Sequence, residues 1–133
     1  MSVLDLDFSS LRHTYADKSL TIAHVIAHIK RRIADTDPYN VWIHVLSDDE
    51  LPPYIERLSS LDPAALPLWG IPFAIKDNID LAGCATTAAC PDFSTMPEDS
   101  ARVVARLIDT GALTIGKTNL DQFATGLVGT RSP

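Results

Sequence analysis

The run PLWGIPFAIKDNID, residues 67–80, carries one lysine, Lys76, at the end of a mostly apolar stretch. A lysine among apolar neighbours is driven toward its neutral amine, because desolvation penalises the ammonium form. A neutral amine accepts a proton, which is what a general base that activates a serine hydroxyl must do. The same residue also allows a plainer reading. Lys76 then lies at a sheet edge and reaches water along its own methylenes, or it pairs with Asp77 or Asp80.

Two other groups have residue types that could do chemistry. His24 and His28 are four apart, which is ligand spacing on a helix, but no third ligand and no HExxH pattern accompanies them. The pair reads as the flank of a helix. Cys84 and Cys90 come without a CxxC or a paired Cys/His spacing, so they read as buried reduced thiols, neither a disulfide framework nor a metal site. No metal and no cofactor is expected.

Composition narrows the partners. A net charge of −6 over 133 residues argues against a nucleic-acid or anionic-membrane surface, since both need clustered Lys and Arg. Lys30, Arg31 and Arg32 are the one basic cluster and suit the wet side of a helix. No apolar segment approaches the roughly 20 residues that cross a bilayer, and the first residues, with Asp5 and Asp7, lack the basic start of a secretion signal. A cytoplasmic protein of one domain, with neither nucleic acid nor membrane as partner, is the expectation.

The elements that must position Lys76 follow from periodicity. In SLTIAHVIAHIKRRIADTD the residues Ile22, Val25, Ile26, Ile29 and Ile33 define one helical face, with Asp17 or Ser19 available as a cap and Asp37-Pro38 as a stop. VWIHVL, 41–46, is β-prone or an extended connector. DDELPPYIERLSSLD reads as a second helix with Pro52 and Pro53 in its first turn and Ile55, Leu58 and Leu61 inward. These segments form a helical layer over residues 1–65.

From residue 66 the pattern changes. GIPFAIKDNID is a strand with Ile71, Phe73 and Ile75 on one face and Ala74 and Lys76 on the other, stopped by the Asp77-Asn78 turn. EDSARVVARLIDTGA is a helix capped near Asp99 or Ser100, with Val103, Val104, Leu107 and Ile108 inward and Gly111 closing it. ALTIGKTN is a further strand with Leu113 and Ile115 on one face. Strand, helix and strand in this order imply a βαβ unit with a parallel pair inside a larger α/β sheet. Neither strand reads as a sheet edge. Lys76 then lies at the carboxyl end of a strand, where sheets of this class place their ligand crevice.

GIPFAIKDNID, GCATTAACPDF and ARVVARLIDTGALTIGKTNLDQFATGLVGTRSP resemble the amidase signature family of serine amidohydrolases, and within it the members that hydrolyse allophanate to ammonia and carbon dioxide. The resemblance runs from about Leu66 to Pro133. It implies an α/β fold in which residues 1–65 are the N-terminal helical layer and 66–133 the first βαβ portion of a mixed sheet that is incomplete in this chain. It also implies a Ser-cisSer-Lys triad with Lys76 as the ultimate base, a small amide such as allophanate as substrate, and homo-oligomeric full-length enzymes. Thr125 and Gly126 match positions that line the family's substrate pocket.

The family's Gly/Ser-rich segment, which holds both catalytic serines and the oxyanion-hole amides, follows the TRSP motif. Ser94 lies in a loop, Ser100 is a helix cap and Ser132 belongs to a turn, so none of them takes a catalytic role. Asp77, Asn78 and Asn119 read as turn and capping residues. The resemblance therefore implies a partial amidase domain that is inactive alone. The other reading is a noncatalytic α/β binding or assembly module, including one in which Lys76 holds an anion.

Overall fold

A computed structural model of the chain describes residues 4–36 and 38–133. It forms two compact units, Met1–Pro38 and Tyr39–Pro133. Among the described residues no helix is long and apolar enough to cross a membrane.

The first unit holds helices α1 (Phe8–Ala16) and α2 (Ile22–Thr36). Asp7 starts α1: its carboxylate accepts from the amides of Ser9 and Ser10 at 2.8 and 3.0 Å, two donors that would otherwise lack a partner within the helix. The apolar periodicity misses α1 because Leu11 is its one buried residue. In α2 the expected face forms, with Ile22, Val25 and Ile26 buried and Ile29 and Ile33 half-buried. Its cap is neither Asp17 nor Ser19. Thr21 Oγ1 accepts from the His24 amide, and the Thr21 amide donates to His24 Nδ1, both at 3.3 Å, a reciprocal arrangement in which histidine replaces the usual Glu or Gln. Asp17 ends α1 instead. The helix stops at Thr36; Asp37, half of the expected stop, lies outside the described residues.

The second unit is built on a three-stranded mixed sheet in the order β1-β3-β2, where β1 is Trp42–Val45, β2 Pro72–Lys76 and β3 Leu113–Thr118. The β-prone run at 42–45 is thus a true strand, antiparallel to β3, while β2 and β3 form the expected parallel pair. β3 is central and buried from Leu113 to Lys117; β2, expected to be interior, is an edge of this sheet. An irregularity after Phe73 sets Ile115 opposite no residue of β2, and the register resumes as Ala74 with Gly116, Ile75 with Lys117 and Lys76 with Thr118. Gly116 lets β1 approach closely. A Cβ there would lie 2.2 Å from the His44 carbonyl oxygen.

Helix α3 (Pro52–Ser59) places Pro52 and Pro53 in its first turn as expected and buries Leu58, whereas Leu61 lies beyond its end and is 36% exposed. Helix α4 (Arg102–Asp109) connects β2 to β3 and buries Val104, with Leu107 and Ile108 half-buried. Val103 departs from the expected inward face and is 56% exposed. Ser100 does not cap α4, whose start has no side-chain cap. Its hydroxyl accepts instead from the Ala82 amide at 2.9 Å and ties the preceding loop together. Gly111 closes the helix with φ +94°, as the sequence implies.

Candidate active site

Lys76 is the last residue of β2 and is exposed on the same side of the sheet as Ala74. The strand's alternation explains this. Ile75 points the other way and is 3% exposed, so the apolar surroundings expected for Lys76 belong to its neighbour. The expectation of an apolar crevice around Lys76 is therefore corrected for these 133 residues. Its position at the carboxyl end of the parallel pair is as expected, opposite Thr118. Asp77 does not pair with it.

Asp77 instead faces a second lysine. Lys117 sits on β3 in register with Ile75, and both Lys117 and Asp77 are 0% exposed. Lys117 Nζ lies 3.3 Å from Asp77 Oδ1, donates to Thr86 Oγ1 at 3.0 Å and reaches the Ala85 carbonyl at 3.4 Å. Asp77 Oδ1 has no hydrogen-bond partner, so its contact with the ammonium is an ion pair only. Asp77 Oδ2 accepts from the Thr87 hydroxyl, from the Thr87 amide at 3.2 Å and from the Ala89 amide at 3.4 Å. A buried charge is tolerated only when paired and hydrogen-bonded, and both are. Asp77 thus exceeds the turn role that the sequence suggests, although the turn is there: the Ile79 amide donates to the Lys76 carbonyl at 2.9 Å. Lys117 escapes the sequence reading. No one-sided pattern reveals it, because every residue from Leu113 to Lys117 is buried and Lys117 shares the face of Thr114, opposite to that of Leu113.

The loops beyond the two strands are braided at this end of the sheet. The Ala88 amide donates to the Asp77 carbonyl at 3.0 Å, the Phe123 amide to the Ala88 carbonyl at 3.0 Å, and Gln122 Nε2 to the Ala89 carbonyl at 3.3 Å. Ala88, Ala89, Phe123 and Ala124 all have φ between +51° and +59°. Such left-handed alanines and phenylalanines cost about 1–2 kcal/mol each and persist only where the surroundings impose them.

Thr125 is exposed, and its hydroxyl donates to the Gln122 carbonyl at 2.9 Å. Gly126 lies close against Asp121: a Cβ would lie 2.2 Å from Asp121 Oδ2. Asp121, which the sequence reading passes over, accepts from the amides of Gly129 and Arg131, both at 2.9 Å. Those amides, chiefly that of Arg131, hold its carboxyl below the ordinary 3.8. The depressed value fixes the sign of the pH dependence. The carboxylate contributes fully above 3.8, and the contribution is lost as pH falls through the lower folded value. Asp121→Ala is expected to lower the protection factors of the Gly129 and Arg131 amides, and acidification through the depressed folded value to do the same in the unaltered chain; unchanged protection in both would contradict this anchoring role.

Asn119 is a turn residue as expected: its Oδ1 accepts from the Leu120 amide at 2.8 Å and its Nδ2 donates to the Asn40 carbonyl at 3.0 Å. Ser94 and Ser132 are exposed. His24 is exposed with Nδ1 engaged by Thr21, which leaves the helix-flank reading of the His24–His28 pair. Cys84 and Cys90 are free thiols; Cys84 is buried, but Cys90 is only half-buried. Burial pushes the Cys84 thiol up, with the Lys117 ammonium opposing.

The Amidase family model matches residues 24–133. The chain belongs to the Amidase family. Urea amidolyase of Saccharomyces cerevisiae is 53% identical over 95 residues, 71% of this amidase chain and 5% of that protein. Mandelamide hydrolase of Pseudomonas putida is 40% identical over 105 residues, 74% of this chain and 20% of that protein. A serine-to-alanine variant of Kluyveromyces lactis allophanate hydrolase superposes with a TM-score of 0.84 at 39% identity, covering 100% of this chain and 22% of that one. The amidase chain thus spans between 5% and 22% of the length of these proteins, and its helices and mixed sheet are part of the amidase fold.

Proposed function

We propose that this chain supplies the lysine base of an amidohydrolase of the allophanate hydrolase type. One observation carries the reading: Lys76 ends the edge strand of a parallel pair on the side that the chain leaves open, while Asp77 is held on the opposite side by Lys117. The likeness to allophanate hydrolase over 100% of this chain, against 74% for mandelamide hydrolase, favours allophanate over mandelamide. In this mechanism polypeptide outside these 133 residues covers the open side and brings two serines. Desolvation by that cover disfavours a charged amine and prepares it to accept a proton. The amine of Lys76 takes the proton from the first serine, which takes one from the nucleophilic serine. The nucleophile attacks the amide carbonyl, ammonia leaves with a proton returned along the same chain, and water releases the acyl group.

The loops at 86–89 and 121–126 contribute by position. Their four left-handed residues concentrate backbone strain beside the strand ends that carry Lys76 and Thr118, which is where strain supports function in other folds. Ammonia release from allophanate, followed with the 133 residues alone and with the full-length protein, tests the reading. Turnover is expected only in the full-length protein. Turnover by the 133 residues alone would remove the need for the two serines, and its absence from both would favour a noncatalytic module.

A further inference from the structure

A second cluster lies apart from Lys76, and three separate segments build it. His44 comes from β1, Glu50 from the turn before α3, and Cys84 from the loop after β2. One donor atom of each, an imidazole nitrogen, a carboxylate oxygen and the thiol sulfur, lies within 4.8 Å of the other two. The three side chains line one cavity of about 320 Å³, together with Ile43, Thr87 and Met96.

The donors are held in place before any ion arrives. His44 is fixed by strand pairing with Lys117, and its Nε2 lies 2.9 Å from both carboxylate oxygens of Glu50. Glu50 is oriented by Ser47 in a reciprocal pair, accepting from the Ser47 amide at 2.8 Å through Oε2 while its own amide donates to Ser47 Oγ at 3.3 Å. Oε1 makes no bond to Ser47 and faces His44 Nε2 at 2.9 Å. Cys84 is a free thiol whose sulfur has only a 4.0 Å contact with the Ala85 carbonyl.

We propose that His44, Glu50 and Cys84 bind a zinc ion. One thiolate, one imidazole and one carboxylate form a donor set that suits zinc, whereas calcium and magnesium favour oxygen alone. Zinc bonds of about 2.0–2.3 Å place tetrahedral donors about 3.3–3.8 Å apart. The His44–Glu50 contact opens by about half an ångström to reach this spacing, and the sulfur closes within its present 4.8 Å limit. As the sulfur–zinc bond forms, the Cys84 thiol releases its proton to solvent. The ring proton that His44 Nε2 donates to the Glu50 carboxylate moves to Nδ1 by way of solvent as zinc binds, so that Nε2 coordinates through its lone pair. The fourth position faces the cavity and takes water or a small anion. Bound zinc joins the loop at 84 to β1 and to the start of α3, so it would raise the thermal midpoint of the unit. Sequence spacing hides this site, because Cys84 lies 40 residues from His44 and no local pattern links them. The proposal is independent of the role given to Lys76.

The test is titration of the full chain with zinc chloride by calorimetry, and with cobalt(II) as an absorbing probe that reports a thiolate ligand by its charge-transfer band. One zinc per chain, a thiolate–cobalt band and a raised thermal midpoint are expected. Cys84→Ser is expected to abolish the band and weaken zinc binding by about a hundredfold or more, with His44→Gln weakening it similarly and Cys90→Ser leaving both unchanged. Circular dichroism of each metal-free variant establishes that it is folded, and should Cys84→Ser fail to fold, His44→Gln and Cys90→Ser decide. Failure of the unaltered chain to bind zinc at micromolar concentration, a band that survives Cys84→Ser, or zinc affinity unaffected by His44→Gln would each overturn the proposal.

Discussion

Lys117→Met is expected to lower the free energy of unfolding by about 3–5 kcal/mol, the usual effect of removing one member of a buried ion pair. The reason is what the substitution leaves behind. Asp77 would keep its carboxylate at 0% exposure with the ammonium gone and only the Thr87 and Ala89 donors remaining. Thr86 would lose the Lys117 donor at 3.0 Å as well. Methionine has nearly the length of lysine, so little of the effect would come from a cavity. Chemical denaturation measures it, and a change below about 1 kcal/mol would contradict the account. A double variant with Asp77→Asn is expected to lose less than the sum of the two single losses, because the second change removes the unpaired charge left by the first.

The fold was legible wherever side chains alternate or recur on one buried face. Leu113 and Ile115 announce β3, and Pro52 and Pro53 mark the start of α3. The alternation of Ile71, Phe73 and Ile75 announces β2, although Ile71 lies just before the strand. The edges of elements were less legible, because several polar side chains had two possible uses. Ser100 could cap α4 or hold Ala82, and it holds Ala82; Thr21, passed over as a cap for α2, accepts from the backbone amide of residue 24, and the His24 ring returns a bond to the Thr21 amide. Helix α1 was hidden because a single buried leucine makes no period.

The candidate site was legible at Lys76 and illegible around it. Placing Lys76 at the end of a strand needs only local pattern. The contacts of Asp77 with Lys117, of Gly126 with Asp121, and of Cys84 with His44 and Glu50 join residues brought together by the fold. Spacing cannot announce the second lysine's partner 40 residues away, and a strand buried on both faces does not single that lysine out.

Lys76→Ala in the full-length protein is expected to lower kcat for ammonia release from allophanate by about a thousandfold or more, as loss of a proton acceptor does in related constellations. Stability is expected to stay within about 1 kcal/mol of the unaltered protein. Lys76 is exposed here, and the ion pair that stabilises this end of the sheet belongs to Lys117. The two lysines are therefore separable: one substitution removes stability and the other removes turnover.

The most direct test of Lys76 as a base is kcat/KM for allophanate in Lys76→Arg of the full-length protein. Arginine keeps the positive charge but does not lose its proton in a protein, so it can hold an anion and cannot act as the base. A loss of about a thousandfold or more is expected, close to that of Lys76→Ala. A rate near that of the unaltered protein would contradict it and leave Lys76 as a charge that only binds.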